Sequence, residues 1–229
     1  IVNFSWVLKE HRTASANLAI DFAGYNSFEY MSFGIIPAIT ADTITKKIYS
    51  AWVYCDSLAQ YGYICSTEGP LTVPGSSLGI DSSGYVYYDT KTSGTIAEWH
   101  GTTTAVTTGA WFHIYVSHDK SSLANVPVIY INGVLQSITT DSAGTGTIQS
   151  ESDRPFIVGN SLNSSTFNRN TINGKITDLR FYNGDNITGT VAALASALYA
   201  AGSNASGNTD GLVFQAFVVM GAGRARYDG

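Results

Sequence analysis

The sequence predicts an all-β fold, either a sandwich or a barrel of many short strands. Runs rich in aromatic and β-branched residues recur along the 229-residue chain, and clusters of Gly, Ser, Thr, Asn and Asp separate them. The clearest run, Trp111 to His118, alternates between two sets of side chains, as a strand with two different faces does. Short strands divided by polar turn residues are typical of β-sandwiches and barrels.

The run from Trp111 to His118 places Phe112, Ile114 and Val116 on one face and the odd-numbered side chains on the other. We expect the even-numbered face to be core. The odd-numbered face is where we expect a ligand or a partner to bind.

A second β-rich run, Val126 to Ile131, ends in Asn132-Gly133, and Val134-Leu135 then resumes the apolar character. Asn-Gly favours the positive φ angles of a two-residue hairpin turn. The sequence therefore predicts a tight hairpin here. Further strands are predicted at Ile48 to Tyr54, Tyr61 to Cys65, Tyr85 to Tyr88, Pro155 to Val158, Gly174 to Tyr182 and Leu212 to Val219.

One Ala-rich segment, Thr190 to Ala201, departs from the strand pattern. Val191, Leu194 and Leu198 fall on one helical face, and Gly202 supplies a C-terminal stop. The segment predicts one short helix, which we place on the rim of the sandwich.

Four segments match one β family in order. They are AIDFAGYNSFEY from Ala19, IYSAWV from Ile48, the Trp111 strand through YING ending at Gly133, and INGKITDLRFYN from Ile172. Over roughly residues 18 to 200 the chain resembles the laminin-G-like, concanavalin A-like jelly-roll family. The resemblance implies a two-sheet antiparallel jelly-roll sandwich, with one sheet concave.

Composition restricts the partners. Only 13% of the residues are charged and the net charge is −5, whereas a nucleic-acid-binding domain carries a basic patch, so we do not expect nucleic acid as a partner. No apolar stretch of about 18 residues occurs, so we expect no membrane-spanning helix.

We expect an N-terminal arm or edge strand at residues 1–17, the jelly roll at 18–202, and a C-terminal strand with a tail or arm at 203–229.

Cys55 and Cys65 flank a predicted hairpin, YCDSLAQYGYIC. Opposed positions on two strands come close enough for a disulfide. Two buried free thiols fit the sequence equally well.

Catalytic motifs are weak in this chain. Gly75 to Gly79 matches the G-x-S-x-G pattern, but it lacks the strand before it and the helix after it that a nucleophile elbow requires, so we interpret it as a polar loop. Glycosidases need paired carboxylates, and the one close Glu-Asp pair, Glu151-Ser152-Asp153, is typical of a solvated turn. We therefore expect no enzyme.

Aromatic residues are the candidates for binding. Trp99, Trp111 and Tyr115, with His113 beside them, either stack against sugar rings or pack in the core and against neighbouring subunits. The family resemblance also implies calcium, for which Asp21 and Asp178 are the candidate ligands, and no other cofactor is indicated. Ordinary turn aspartates are the alternative.

Three functions remain. The first is a non-catalytic binding or attachment module that recognises glycans or a protein surface, extracellular or on a virus particle. The second is a phage or viral structural protein whose arms dock on neighbouring subunits, which would form an oligomer. The third, an enzyme of the glucanase type, is disfavoured by the missing acidic motif.

Overall fold

The computed structural model describes residues 19–25, 27, 29–67, 75–161, 170–203 and 209–216. The terminal segments 1–17 and 217–229 of the predicted domain division lie outside these residues. The elements in chain order are β1 (Ile20–Ala23), β2 (Met31–Ile35), α1 (Pro37–Thr40), β3 (Lys46–Cys55), β4 (Gly62–Ser66), β5 (Ser76–Ile80), β6 (Val86–Thr90), β7 (Ala97–Gly101), β8 (Trp111–Asp119), β9 (Val128–Ile131), β10 (Val134–Leu135), β11 (Ile138–Ala143), β12 (Pro155–Val158), β13 (Asn173–Asn183), a 3₁₀ turn (Gly184–Asn186), α2 (Val191–Ala201) and β14 (Leu212–Ala216).

The strands form two antiparallel sheets. The first has the order β1-β13-β3-β8-β9-β10, with β14 also paired to β13. The second has the order β11-β7-β6-β5-β4-β12-β2. The predicted two-sheet jelly-roll sandwich with one short helix is confirmed, and among the described residues the four-residue α1 and the 3₁₀ turn are small additional helical pieces.

The core lies between the two sheets. Ile114 and Val116 of β8 are fully buried in it, as the even-numbered face of that strand predicts. Asn132 and Gly133 have φ angles of 50° and 75° and join β9 to β10. The predicted hairpin is confirmed, because positive φ at both central residues is what such a turn requires.

Helix α2 is present, but it does not lie on the rim. Thr190 begins it by accepting a hydrogen bond from the Ala193 amide, and Gly202 ends it at a φ of 73°. Leu198 packs on Tyr115 in a small apolar cluster on the outer face of the first sheet. The odd-numbered face of β8 is therefore covered there, because it carries apolar side chains that the helix shields from water.

The predicted cysteine hairpin is wrong. Cys55 ends β3 in the first sheet, whereas Cys65 lies in β4 of the second. Both are buried free thiols in the core. Burial raises the pKa of Cys55 to about 12 and also raises that of Cys65, so neither thiol ionises readily at neutral pH.

Glu151 is also not in a solvated turn, since it is only 2% exposed. Its Oε2 accepts hydrogen bonds from Lys47 Nζ at 2.8 Å and Thr67 Oγ1 at 2.6 Å. Its Oε1 accepts from Ser76 Oγ at 2.7 Å and from Lys120 Nζ. We call these five residues the buried ion cluster. It joins strands of both sheets at one end of the sandwich.

The charges of this cluster hold one another ionised. Burial alone would raise the pKa of Glu151, but the ammonium groups of Lys120 and Lys47 outweigh it and hold that pKa well below its ordinary value. Burial lowers the pKa of Lys47, and the Glu151 carboxylate opposes that change. A buried carboxylate with four donors is well satisfied, as buried charges must be.

Two buried histidines make the stability depend on pH. Burial lowers the pKa of His113 and of His118 to about 4, so the folded state stays neutral where the unfolded state takes up protons. The free energy of unfolding should therefore fall as the pH drops from about 6.5 to about 4, at roughly 1.4 kcal/mol per pH unit for each histidine.

Urea titrations at pH 7.0 down to 4.5 measure this slope. The variants His113→Gln and His118→Gln should each remove about half of it, since each deletes one of the two protons. A wild-type stability that stays level across this range would contradict the neutral, buried state of both rings.

Candidate functional site

A group of tyrosines and carboxylates lies on the outer face of the second sheet. Tyr87 and Asp89 of β6 point away from the core, and Glu98 and His100 of β7 do the same, because the residues between them fill the core. Tyr87 pairs with His100, and Asp89 with Glu98, in the antiparallel register. With Tyr61 from the turn before β4, these residues form what we call the tyrosine–carboxylate face.

A glycine fixes the position of the two tyrosine rings. Tyr87 lies across Gly79 of β5, where an added Cβ would stand 2.4 Å from the tyrosine hydroxyl. The ring of Tyr61 packs on that of Tyr87, with centroids 4.0 Å apart. Any side chain at position 79 would therefore displace both rings.

Each carboxylate is held by a hydroxyl group. Tyr61 donates from its hydroxyl to Glu98 Oε1 at 3.2 Å, and Ser77 donates to Asp89 Oδ2 at 2.6 Å. Ser77 lies within β5, in the middle of the G-x-S-x-G match. That match is thus neither a nucleophile elbow nor the polar loop that the sequence predicts, but a buried strand.

His100 extends the face towards the sheet edge. Its Nδ1 lies 2.6 Å from Asp141 Oδ2 on β11, and its ring lies 5.7 Å from that of Tyr85.

Tyr61 remains a hydrogen-bond donor over the physiological pH range. Burial raises its pKa far above the ordinary value, and the charges of Glu98 and Asp89 raise it further.

The face has a buried layer and an accessible layer. Tyr87 and Asp89 are 2% and 5% exposed and support the others. Tyr61, Glu98 and His100 are partly exposed. The accessible layer offers an aromatic ring, a carboxylate acceptor and an imidazole, which together suit a ring-shaped molecule rich in hydroxyl groups.

Sequence reasoning missed this face. Asp89 and Glu98 are nine positions apart and lie on two different strands, so no motif on one strand contains both, and only the pairing of β6 with β7 brings them together. A signal is present in the sequence, because each acidic residue interrupts an apolar run, VYYDT and AEWHG, at a position that alternation assigns to the outer face.

Three of the predicted ligand-binding residues are buried. Trp99 is 1% exposed and packs in the core, where its ring lies 5.0 Å from His118. Tyr115 lies beneath α2 with no exposure. His113 is 1% exposed, with Ser50 Oγ 2.9 Å from its Nε2. No ring face of these three is open to a sugar.

Trp111 and Asp21 lie in one cross-strand row on the outer face of the first sheet. The register places Asp21 beside Lys175, Lys175 beside Tyr54, and Tyr54 beside Trp111. The rings of Tyr54 and Trp111 are 5.6 Å apart, and Lys175 Nζ stands 4.7 Å from the centroid of Tyr54. Trp111 is partly exposed, so it remains a candidate contact residue.

The candidate calcium ligands have different surroundings from each other. Asp21 neighbours a lysine, whereas Asp178 is buried and accepts hydrogen bonds from Arg180 at 2.8 and 3.0 Å and from Gln215 at 2.7 Å. Calcium favours several carboxylate and carbonyl oxygens around one point. Among the described residues no three His, Cys, Asp or Glu side chains cluster in that way, and calcium binding stays a prediction.

The chain belongs to the family described as the concanavalin A-like lectin/glucanases superfamily, since a laminin G-type model of that family matches residues 29–185. This confirms the resemblance in the four sequence segments. A comparison with curated protein sequences finds no match. In the part of the chain that the structure describes, no helix is both long and apolar enough to cross a membrane.

Several solved structures share the fold. A native heptameric SAP-like pentraxin from Limulus polyphemus is 14% identical, with a TM-score of 0.58 over 90% of this chain and 93% of its own. The Ruminococcus gnavus IT-sialidase CBM40 bound to α2,3 sialyllactose is 11% identical, with a TM-score of 0.55 over 79% and 96%. Domains LG4-5 of the mouse laminin α1 chain are 13% identical, with a TM-score of 0.52 over 76% and 44%.

Hydroxyl-radical footprinting with mass spectrometry tests which aromatic residues a ligand can reach. Trp111 and Tyr61 should be oxidised in the native protein, whereas Trp99 and Tyr115 should be protected, because their rings are shielded from water. All four should react in the urea-unfolded chain, which serves as the control. Oxidation of native Trp99 at the rate of Trp111 would contradict the packing described above.

Proposed function

We propose that this domain is a non-catalytic binding module that recognises neutral glycans through the tyrosine–carboxylate face. The observation that carries the proposal is the partly exposed ring of Tyr61 beside the partly exposed carboxylate of Glu98, which its hydroxyl contacts at 3.2 Å. A sugar ring stacks its C–H face on an aromatic ring and donates hydroxyl hydrogens to a carboxylate.

The charge of the face favours a neutral ligand. Asp89 and Glu98 are cross-strand partners, and Asp141 lies against His100, which is two residues beyond Glu98 on β7. A glycan that carries carboxylate or sulfate groups would meet like charge there. Uncharged hydroxyl groups would instead donate to these oxygens.

The family and the shared folds support a binding role. The family is described as containing lectins, and the CBM40 structure contains a bound sialyllactose. These likenesses support the architecture as one that carries glycan sites, while the choice of ligand for this chain rests on its own residues.

The arrangement favours binding over hydrolysis. Asp89 and Glu98 are cross-strand partners, and glycosidases do use two carboxylates. However, Asp89 is only 5% exposed and Ser77 holds one of its oxygens, so a glycosidic bond cannot reach both carboxylates at once.

We propose an extracellular or virion-surface setting, where glycans and glycoproteins are the available partners.

A structural role on a virus or phage particle is the second candidate. The row of Tyr54 and Trp111 on the first sheet favours it, because partly exposed aromatic residues are enriched in protein interfaces. A neighbouring subunit of the same assembly would cover that row. The two roles use opposite sheets, and both fit a module that attaches a particle to a surface.

A glycan array followed by isothermal titration tests the first proposal. We expect binding to neutral oligosaccharides, and Tyr61→Ala should weaken it by at least about tenfold through loss of the stacking surface. Tyr25→Ala is the matched control, because Tyr25 is 43% exposed and lies outside the face. Equal loss in both variants, or no neutral ligand on the array, would refute the proposal.

The same samples report on catalysis. Product analysis after prolonged incubation should find the bound oligosaccharide intact. Cleavage of the oligosaccharide by the wild-type chain, lost in the Glu98→Gln variant, would show that the domain is an enzyme and would contradict the non-catalytic proposal.

A further inference from the structure

A polar cavity lies at the end of the sandwich that contains the buried ion cluster. Its volume is about 360 Å³, within the range of about 300–1,000 Å³ that is usual for small-molecule sites. Among its lining residues, Lys47, Lys120 and Glu151 are nearly buried and form what we call the inner wall, whereas the exposed Asp42 and Ser150 and the partly exposed Gln149 form its mouth. None of these residues belongs to the tyrosine–carboxylate face.

The two lysines of the inner wall have more N–H donors than the protein acceptors around them occupy. An ammonium group has three N–H donors. Among the described residues, Lys47 Nζ donates to Glu151, and Lys120 Nζ donates to Glu151 and Ser76. Three donors on two nearly buried ammonium groups therefore remain for a molecule in the cavity.

The acceptor that holds the lysines is already saturated. Both Glu151 oxygens together receive four hydrogen bonds, from Lys47, Lys120, Thr67 and Ser76. Two buried cations thus face one buried anion, which leaves an excess positive charge on the inner wall. The side chains of Lys47 and Glu151 are 2% exposed and that of Lys120 is 8% exposed, so water screens this charge weakly.

The rest of the wall suits hydroxyl groups and a ring. Gln149 offers an amide donor and acceptor, and Ile44 and Ile148 provide apolar surface. Asp42 stands exposed at the mouth, where it accepts a hydrogen bond from Ser150 Oγ at 2.7 Å. Its negative charge acts on the Lys47 ammonium group of the inner wall, and it therefore weakens the binding of an anion in this cavity.

We propose that this cavity binds a small hydroxylated carboxylate, such as one uronic acid residue, with its carboxylate on Lys47 and Lys120. The hydroxyl groups then lie against Gln149 and Ser150, and the ring packs on the two isoleucines. A ligand carboxylate in the inner part supplies a second negative charge for the two ammonium groups, of which Glu151 neutralises only one. This site is independent of the neutral-glycan site on the second sheet.

Titration of the full chain with sodium glucuronate, glucose and acetate, followed by ¹H–¹⁵N NMR, tests the proposal. Glucuronate should bind at least about tenfold more tightly than glucose or acetate, since each lacks one half of the recognised chemistry. The amide shifts that move should include those of Gln149 and Ser150.

Four variants separate the contributions to glucuronate binding. Lys120→Met should abolish glucuronate binding, whereas Asp42→Asn should strengthen it severalfold by removing a repulsive charge at the mouth. Gln149→Ala tests the mouth without altering the ion cluster, and should weaken glucuronate while the thermal midpoint stays unchanged. Tyr61→Ala should leave glucuronate binding as it is.

Four results would overturn the inference. They are the absence of glucuronate binding, equal affinity for glucose, weaker binding in Asp42→Asn, and loss of glucuronate binding in Tyr61→Ala. The last result would mean that glucuronate binds at the tyrosine–carboxylate face of the second sheet. Failure of the neutral-glycan array would leave the glucuronate result unaffected, so the two proposals fail separately.

Discussion

The Glu151 carboxylate between Lys47 and Lys120 is the interaction on which the architecture depends most. It connects β3 and the end of β8 in the first sheet to Ser76 and Thr67 around β5 in the second. Apolar packing between sheets has no preferred register, whereas a buried carboxylate must meet its donors at defined points. The cluster therefore fixes how the two sheets lie over one another at this end.

The same cluster is linked to the proposed glycan face through one strand. Ser76 of β5 contacts Glu151, while the next residue, Ser77, contacts Asp89 on the opposite side of the sheet. Successive side chains of a strand point to opposite faces, so a shift of β5 would move both contacts. Gly79, two residues further, then sets the position of Tyr87 and Tyr61.

Much of the fold could be predicted from local pattern, but the surroundings of each face could not. Alternation along β8 and the Asn132-Gly133 turn identify strand and hairpin, because both are properties of neighbouring residues. Alternation says that Tyr115 faces away from Ile114, but not that helix α2 covers it. Glu151 resembles a turn residue because its partners, Lys120 and Lys47, are 31 and 104 positions away.

The unfolding free energy of Glu151→Gln tests the central role of the cluster most directly. Glutamine keeps the shape but leaves two buried ammonium groups without their anion, so we expect a loss of about 3–5 kcal/mol in urea titrations at pH 7. Asp153→Asn, at a side chain that is 68% exposed, is the control and should change stability by less than about 0.5 kcal/mol. A Glu151→Gln protein as stable as the control would contradict the account.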